Sequence, residues 1–140
     1  MTQPDPQPAA HILVVDDDER IRSLLRRFLM RNGFLVTAAR DAAHARRLLD
    51  GLDFDLIVLD LMMPGMDGYE VLRQLRADPP THDIPVIFVT AMDSAQDEEH
   101  GLELGAVDYI TKPIKPAIVL ARVRAHLALK HARDRLANQN

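Results

Sequence analysis

The stretch Leu56-Ile57-Val58-Leu59-Asp60-Leu61-Met62-Met63-Pro64-Gly65-Met66-Asp67-Gly68 carries an apolar run straight into a carboxylate and then breaks it with Pro64 and Gly65. Aliphatic residues in succession that end at an acid read as a buried strand with a charged mouth. A lone aspartate in that place is ordinarily a turn former or the cap of the next helix. Three other apolar runs, however, end in polar residues of complementary chemistry. Ile12 to Val15 leads into Asp16, Asp17 and Asp18; Ile84 to Val89, with Pro85 near its start, leads into Thr90; Val107 to Ile110 leads through Thr111 into Lys112 and Pro113. As parallel strands of one sheet, these runs would bring carboxylates, a hydroxyl and an ammonium to its carboxyl edge, where open α/β sheets bind ligands.

Between the runs lie helical patterns. Ile21, Leu24, Leu25, Phe28 and Leu29 recur at three- and four-residue spacing, with arginines largely elsewhere and Asn32-Gly33 closing the helix. A strand from Phe34 to Ala39 follows. Asp41 suits the cap of a second helix with Ala42, Ala45, Leu48 and Leu49 on its apolar face. Asp67 suits the cap of a third, buried through Val71, Leu72 and Leu75 and stopped by Asp78-Pro79-Pro80. The fourth helix is the weakest. It opens at Ser94 with Asp97 completing a capping box, but carries Gly101 inside and Gly105 at its end. The fifth, from about Pro116, buries Val119, Leu120, Val123 and Leu127 and continues to about Ala137. Strands separated by helices imply parallel pairing through right-handed crossovers, hence an α/β fold: a five-stranded parallel sheet flanked by five helices in three layers.

The chain's 140 residues fit one such domain. Residues 1–10, polar and proline-rich, read as a disordered lead-in, 11–130 as the domain, and 131–140 as a helical extension. A net charge of −4 provides no general attraction to nucleic acid or anionic membrane, although the chain is acidic from Asp93 to Glu103 and basic from Lys112 to Arg135. No run approaches the roughly 18 apolar residues of a membrane span, and the N-terminal stretch lacks the apolar core of a signal peptide. A cytoplasmic location is expected. No cysteine is present, so disulfide and thiolate chemistry are excluded. No DNA-reading element is visible, and direct nucleic-acid binding is not expected. The six histidines show no metal-ligand spacing and read as surface residues.

Asp16, Asp17 and Asp60 define the chemistry. Carboxylates a few ångströms apart repel and take up protons unless a cation sits between them. Magnesium, with manganese as a substitute, suits that place: a hard ion taking oxygen ligands at about 2.0–2.1 Å and adding one or two carboxylates to its waters. Lys112 supplies a fixed positive charge and Thr90 a hydroxyl. A metal, an ammonium and a hydroxyl around one carboxylate are what phosphoryl transfer onto it requires, because positioning and charge neutralisation do most of the work. The product would be an aspartyl phosphate at Asp60.

The acidic pair after the first strand, Asp60 with Met-Met-Pro-Gly-Met-Asp-Gly behind it, the Thr90-Ala91 pair and the Asp-Tyr-Ile-Thr-Lys-Pro run ending at Pro113 resemble the receiver domain of two-component response regulators, as in the chemotaxis response regulators. The resemblance covers about residues 11–130. It implies a flavodoxin-like three-layer sandwich with strand order 2-1-3-4-5. It implies Asp60 as phosphoacceptor from a phosphohistidine of a sensor histidine kinase or phosphotransfer protein. Asp17 would bind the metal directly and Asp16 mainly through water, with Asp60 and the Met62 backbone carbonyl completing the protein ligands. Asp18 is expected to cap the first helix instead. Lys112 and Thr90 would bind phosphoryl oxygens, small Ala91 would leave the pocket open, and the Lys112-Pro113 peptide would be cis. Tyr109 would swing inward as Thr90 moves, so that the fourth helix, fifth strand and fifth helix form the readout face, a surface also suited to a homodimer.

Two features depart from the best-known receivers. Met62 and Met92, each two residues past a site residue, are apolar where polar side chains can orient water, so slow hydrolysis of the phosphoaspartate is expected. Leu129, Ala132 and Leu136 also extend the fifth helix among Lys130, Arg133 and Arg135. That extension resembles the helix connecting a receiver to an output domain, including those of cyclic-dinucleotide enzymes. A second helix pairing with it, or a solvated end, fits equally. A metal-dependent phosphohydrolase would want an acid where Met62 stands, and a nucleotide or flavodoxin-like module would want a phosphate loop where the three aspartates lie. A receiver that docks without phosphorylation is the other alternative. The reading is therefore a switch that modifies itself and turns over no external substrate.

Overall fold

The computed structural model describes residues 9–91 and 95–138. The expectations for most of the lead-in, for the Ser94 cap and for Met92 lie outside the described residues.

Five strands, β1 (His11–Val15), β2 (Leu35–Ala39), β3 (Leu56–Asp60), β4 (Val86–Thr90) and β5 (Asp108–Thr111), form one sheet in the order β2-β1-β3-β4-β5. Every pairing within it is parallel. Five helices connect and follow them: α1 (Glu19–Arg31), α2 (Ala42–Gly51), α3 (Gly68–Ala77), α4 (Ala95–Glu103) and α5 (Pro116–Asn138). This is the expected three-layer arrangement. β4 begins two residues later than its apolar run, because Pro85 has no N–H to donate; its carbonyl still accepts from Ile57. β5 runs from Asp108 to Thr111, shifted by one residue toward the C-terminus from the expected Val107 to Ile110.

Strand alternation divides the core in two. Leu13, Val15, Ile57, Leu59, Val86 and Phe88 face α2 and α3, while Ile12, Val14, Leu56, Val58, Ile87 and Val89 face α1 and α5. Leu25 and Leu29 of α1 and Val119 and Val123 of α5 are essentially solvent-free, each such burial contributing roughly 1.5–3 kcal/mol. In α2 only Ala45 is fully buried, whereas Ala42, Leu48 and Leu49 are half-buried at the rim. α4 lies close to the sheet through Gly101, where a Cβ would stand 3.1 Å from the Phe88 ring.

The helix starts follow the sequence. Asp18, Asp41 and Asp67 cap α1, α2 and α3, accepting from the amides of Arg20, His44 and Tyr69 at 2.8, 2.8 and 2.9 Å. Each cap contributes about 1 kcal/mol. α5 runs unbroken through residue 130, so no structural break marks the expected extension; Leu127 is its last buried residue, and Leu129 and Leu136 are exposed. Three of the histidines depart from the surface reading: His11, His44 and His126 are half-buried, His11 bonded to Thr37 at 2.7 Å and His126 to Asp108 at 2.9 Å. Among the described residues no helix is long and apolar enough to cross a membrane.

Candidate functional site

The parallel sheet brings the carboxyl ends of β1, β3, β4 and β5 to one edge, and the predicted polar residues meet there. Asp16 follows β1 and still belongs to the sheet, its amide donating to the Ala39 carbonyl at 3.1 Å. Asp60 ends β3 opposite Val89. Leu61 then donates to the Val89 carbonyl at 3.0 Å, and Lys112 donates from its backbone to the Thr90 carbonyl at 2.7 Å. Each side chain at the edge is thus fixed by ladder bonds on its own strand.

The Lys112 ammonium lies 3.2 Å from Asp60 Oδ2 and 3.4 Å from Asp16 Oδ2. Asp60 Oδ1 accepts from the Met62 amide at 3.1 Å, and Asp16 Oδ1 from the Asp18 amide at 2.9 Å. Both carboxylates are buried, whereas Asp17 is exposed. Asp16, Asp17 and Asp60 each bring one carboxylate oxygen into a group spanning no more than 4.8 Å. Asp18 points its carboxylate to the α1 cap.

Electrostatics follow from crowding. Burial, and then the charge of Asp16, push Asp60 up from 3.8 to about 6 against the pull of the Met62 amide and Lys112. Asp16 is also raised, again chiefly by burial. Burial would depress Lys112, but the two carboxylates override it and raise its pKa. One ammonium therefore faces two buried acids, with the exposed Asp17 grouped beside them. A hard divalent cation fits this oxygen-rich donor set and relieves the excess charge.

Met62–Met63 pairs antiparallel with Met66–Asp67 in a small ribbon after Asp60, turned at Gly65 with φ +70°. Gly68 closes the ribbon onto β3, since a Cβ there would stand 2.9 Å from Leu61 Cα. Met62 is exposed beside Asp60, and Ala91 is exposed after β4. The Lys112-Pro113 peptide is cis.

Thr90 is fully buried, and a side-chain hydrogen bond joins it to Tyr109. Tyr109 is half-buried against the core on the α2–α3 side, and burial pushes its phenol up to about 12. Tyr69 donates from its hydroxyl to the Asp97 carbonyl at 3.2 Å and meets the His100 and Phe88 rings at 4.6 and 5.7 Å. Tyr69, Gly68 and Arg22, whose Nη1 donates to the Asp16 carbonyl at 2.7 Å, were not singled out by the sequence. Arg22 is one of several similar arginines on α1, and only the fold distinguishes it.

Comparison with known proteins agrees with this geometry. The family model for the response regulator receiver domain matches residues 12–124. Protein PetR of Rhodobacter capsulatus is 57% identical over 117 residues, covering 84% of this chain and 48% of that protein. A probable cyclic di-GMP phosphodiesterase of Vibrio cholerae is 41% identical over 129 residues, covering 92% of this chain and 29% of that one. The chain therefore spans less than half the length of these relatives. Among solved structures, the chemotaxis protein CheY4 of Vibrio cholerae superposes with a TM-score of 0.80 at 28% identity, covering 84% of this chain and 98% of that chain.

Proposed function

Because this chain belongs to the response regulator receiver domain family, we propose that it is a signalling switch in which Asp60 accepts a phosphoryl group from a phosphohistidine on a sensor kinase or phosphotransfer protein. Receivers act on themselves in phosphorylation-based signalling and turn over no external substrate. The single observation that carries the reading is the buried Asp60 carboxylate, contacted by Lys112 and grouped with Asp16 and Asp17.

In the transfer, an Asp60 oxygen attacks phosphorus in line, the P–N bond to the donor histidine breaks, and the imidazole leaves with its electron pair. Lys112 balances charge on the phosphoryl oxygens, and the Met62 amide holds the other Asp60 oxygen in register. Thr90 donates to a phosphoryl oxygen beside small Ala91 and in doing so exchanges its bond to Tyr109. Asp16, Asp17, Asp60 and the Met62 carbonyl would hold magnesium, or manganese in its place. When bound, that ion neutralises the anionic phosphoryl group and orients it. The rearrangement at Thr90 and Tyr109 is read out on the face of α4, β5 and α5.

Residues 11–130 form the receiver in this reading, and the end of α5 links it to an output domain or a second copy. The length of the relatives supports an output link, one of them being named a cyclic di-GMP phosphodiesterase. The setting is cytoplasmic, without nucleic-acid or membrane contact by this domain.

Incubation with magnesium and acetyl phosphate, followed by intact-protein mass, tests the assignment. One added phosphoryl group is expected, absent in Asp60→Asn and absent without magnesium. Equal addition to the Asp60→Asn variant would refute it. No addition, with magnesium binding confirmed separately, would favour either strict dependence on a partner kinase or a docking module that works without phosphorylation.

A further inference from the structure

We propose that Arg22 is a positioning residue for the divalent cation: by holding the Asp16 carbonyl it aims Asp17 into the acidic cluster. The inference rests on the metal reading above. Asp16 is fixed on every polar atom: its amide on Ala39, Oδ1 on the Asp18 amide, Oδ2 near Lys112, and its carbonyl on Arg22 Nη1 at 2.7 Å. Asp17 is the exposed member of the trio, and its place depends on the backbone. The Asp16 carbonyl and the Asp17 amide share one rigid peptide plane. Fixing that carbonyl therefore fixes where the Asp17 side chain departs.

The guanidinium spends its charge on a carbonyl, forming a charge-assisted hydrogen bond of the stronger kind. Among the described residues Arg22 forms no ion pair, whereas Arg20 pairs with Asp18 at 3.8 Å. The two roles open to Arg22 predict opposite signs. As a nearby positive charge it would repel a cation, and its removal would tighten binding. As a positioning residue, its removal weakens binding, and partners that orient metal ligands commonly matter by about tenfold or more.

Manganese binding by the full chain, followed through the paramagnetic resonance signal of free Mn²⁺, separates these. Arg22→Ala is expected to weaken affinity by about tenfold, with Arg22→Lys intermediate, and Arg26→Ala, an exposed arginine on the same helix, unchanged or slightly tighter. Melting in metal-free buffer reports any purely structural effect. Unchanged or tighter binding in Arg22→Ala overturns the proposal; should that variant fail to fold, Arg22→Gln takes its place with the same expectation. If the unmodified protein binds no manganese, or Asp17→Asn binds it equally well, the metal reading itself falls, a result distinct from failure at Arg22 alone.

Discussion

Lys112 and Asp60 form an ion pair of 3.2 Å at the carboxyl edge of the sheet, and the same ammonium must also serve Asp16 at 3.4 Å. One cation for two buried acids leaves Asp60 with its proton up to about pH 6, against 3.8 in the unfolded chain. The folded state thus binds a proton that the unfolded state releases. In chelator, stability should fall as pH rises from about 4 to about 6, by on the order of 2–3 kcal/mol. Urea unfolding at stepped pH measures this, and Asp60→Asn should flatten most of the slope. The raised Asp16 acts in the same direction and leaves a residual slope in that variant. Magnesium at tenfold its dissociation constant should restore about 1.4 kcal/mol above pH 6. A curve that climbs through this range would refute the account.

Gly68 governs the ribbon that carries the Met62 amide to Asp60. An added Cβ meets backbone, 2.9 Å from Leu61 Cα and 3.0 Å from its carbonyl oxygen, so no side-chain rotation can relieve it. Gly68→Ala should cost roughly 1–3 kcal/mol in denaturant unfolding. It should also shift the Met62 amide resonance, while Gly51→Ala, with open space around it, should do neither.

Much of this arrangement was legible because local signals and tertiary demands agree. Each buried strand is an unbroken apolar run, and the caps at Asp18, Asp41 and Asp67 fall where the periodic patterns begin. Asp16, Asp60 and Lys112 could be read because parallel topology sends every strand end to one edge. Arg22 could not, since a contact between a helix side chain and a carbonyl six residues back leaves no periodic trace. Gly68 stood out only as the last residue of the motif behind Asp60, and its constraint, a close backbone approach to Leu61, lies in the fold. His126, on α5, looked like a surface residue because its partner, Asp108, arrives from the start of β5.

Tyr109 should report its own environment. Burial, with the charges of Tyr69, Asp97 and Glu98 adding to it, holds its phenol protonated to about 12. Ultraviolet titration of the chain's two tyrosines should therefore show a late component that Tyr109→Phe removes. Because that pKa is raised, stability should decline as pH rises from about 10 to about 12 in the unmodified protein more than in the variant. Near neutral pH the lost bond to Thr90 should cost roughly 0.5–1.5 kcal/mol. A variant with the same late titration would show that Tyr69 carries it.

Met62 stands exposed two residues beyond Asp60, where its side chain is open to the solvent from which water would attack a phosphoaspartate. A thioether neither donates a hydrogen bond nor accepts one strongly, and it cannot align an attacking water as an amide can. Met62→Asn should therefore shorten the phosphoaspartate lifetime by a few-fold to about tenfold, below the roughly 10²–10⁴ of positioned proton-transfer groups, because an amide orients water without taking its proton. The substitution touches an exposed side chain and leaves its backbone amide on Asp60 Oδ1, so stability should change by less than about 0.5 kcal/mol. Decay of the phosphorylated mass after removal of acetyl phosphate gives the lifetime directly. Equal decay in the two proteins would mean that access or the Lys112 contact, and not the residue at 62, limits hydrolysis.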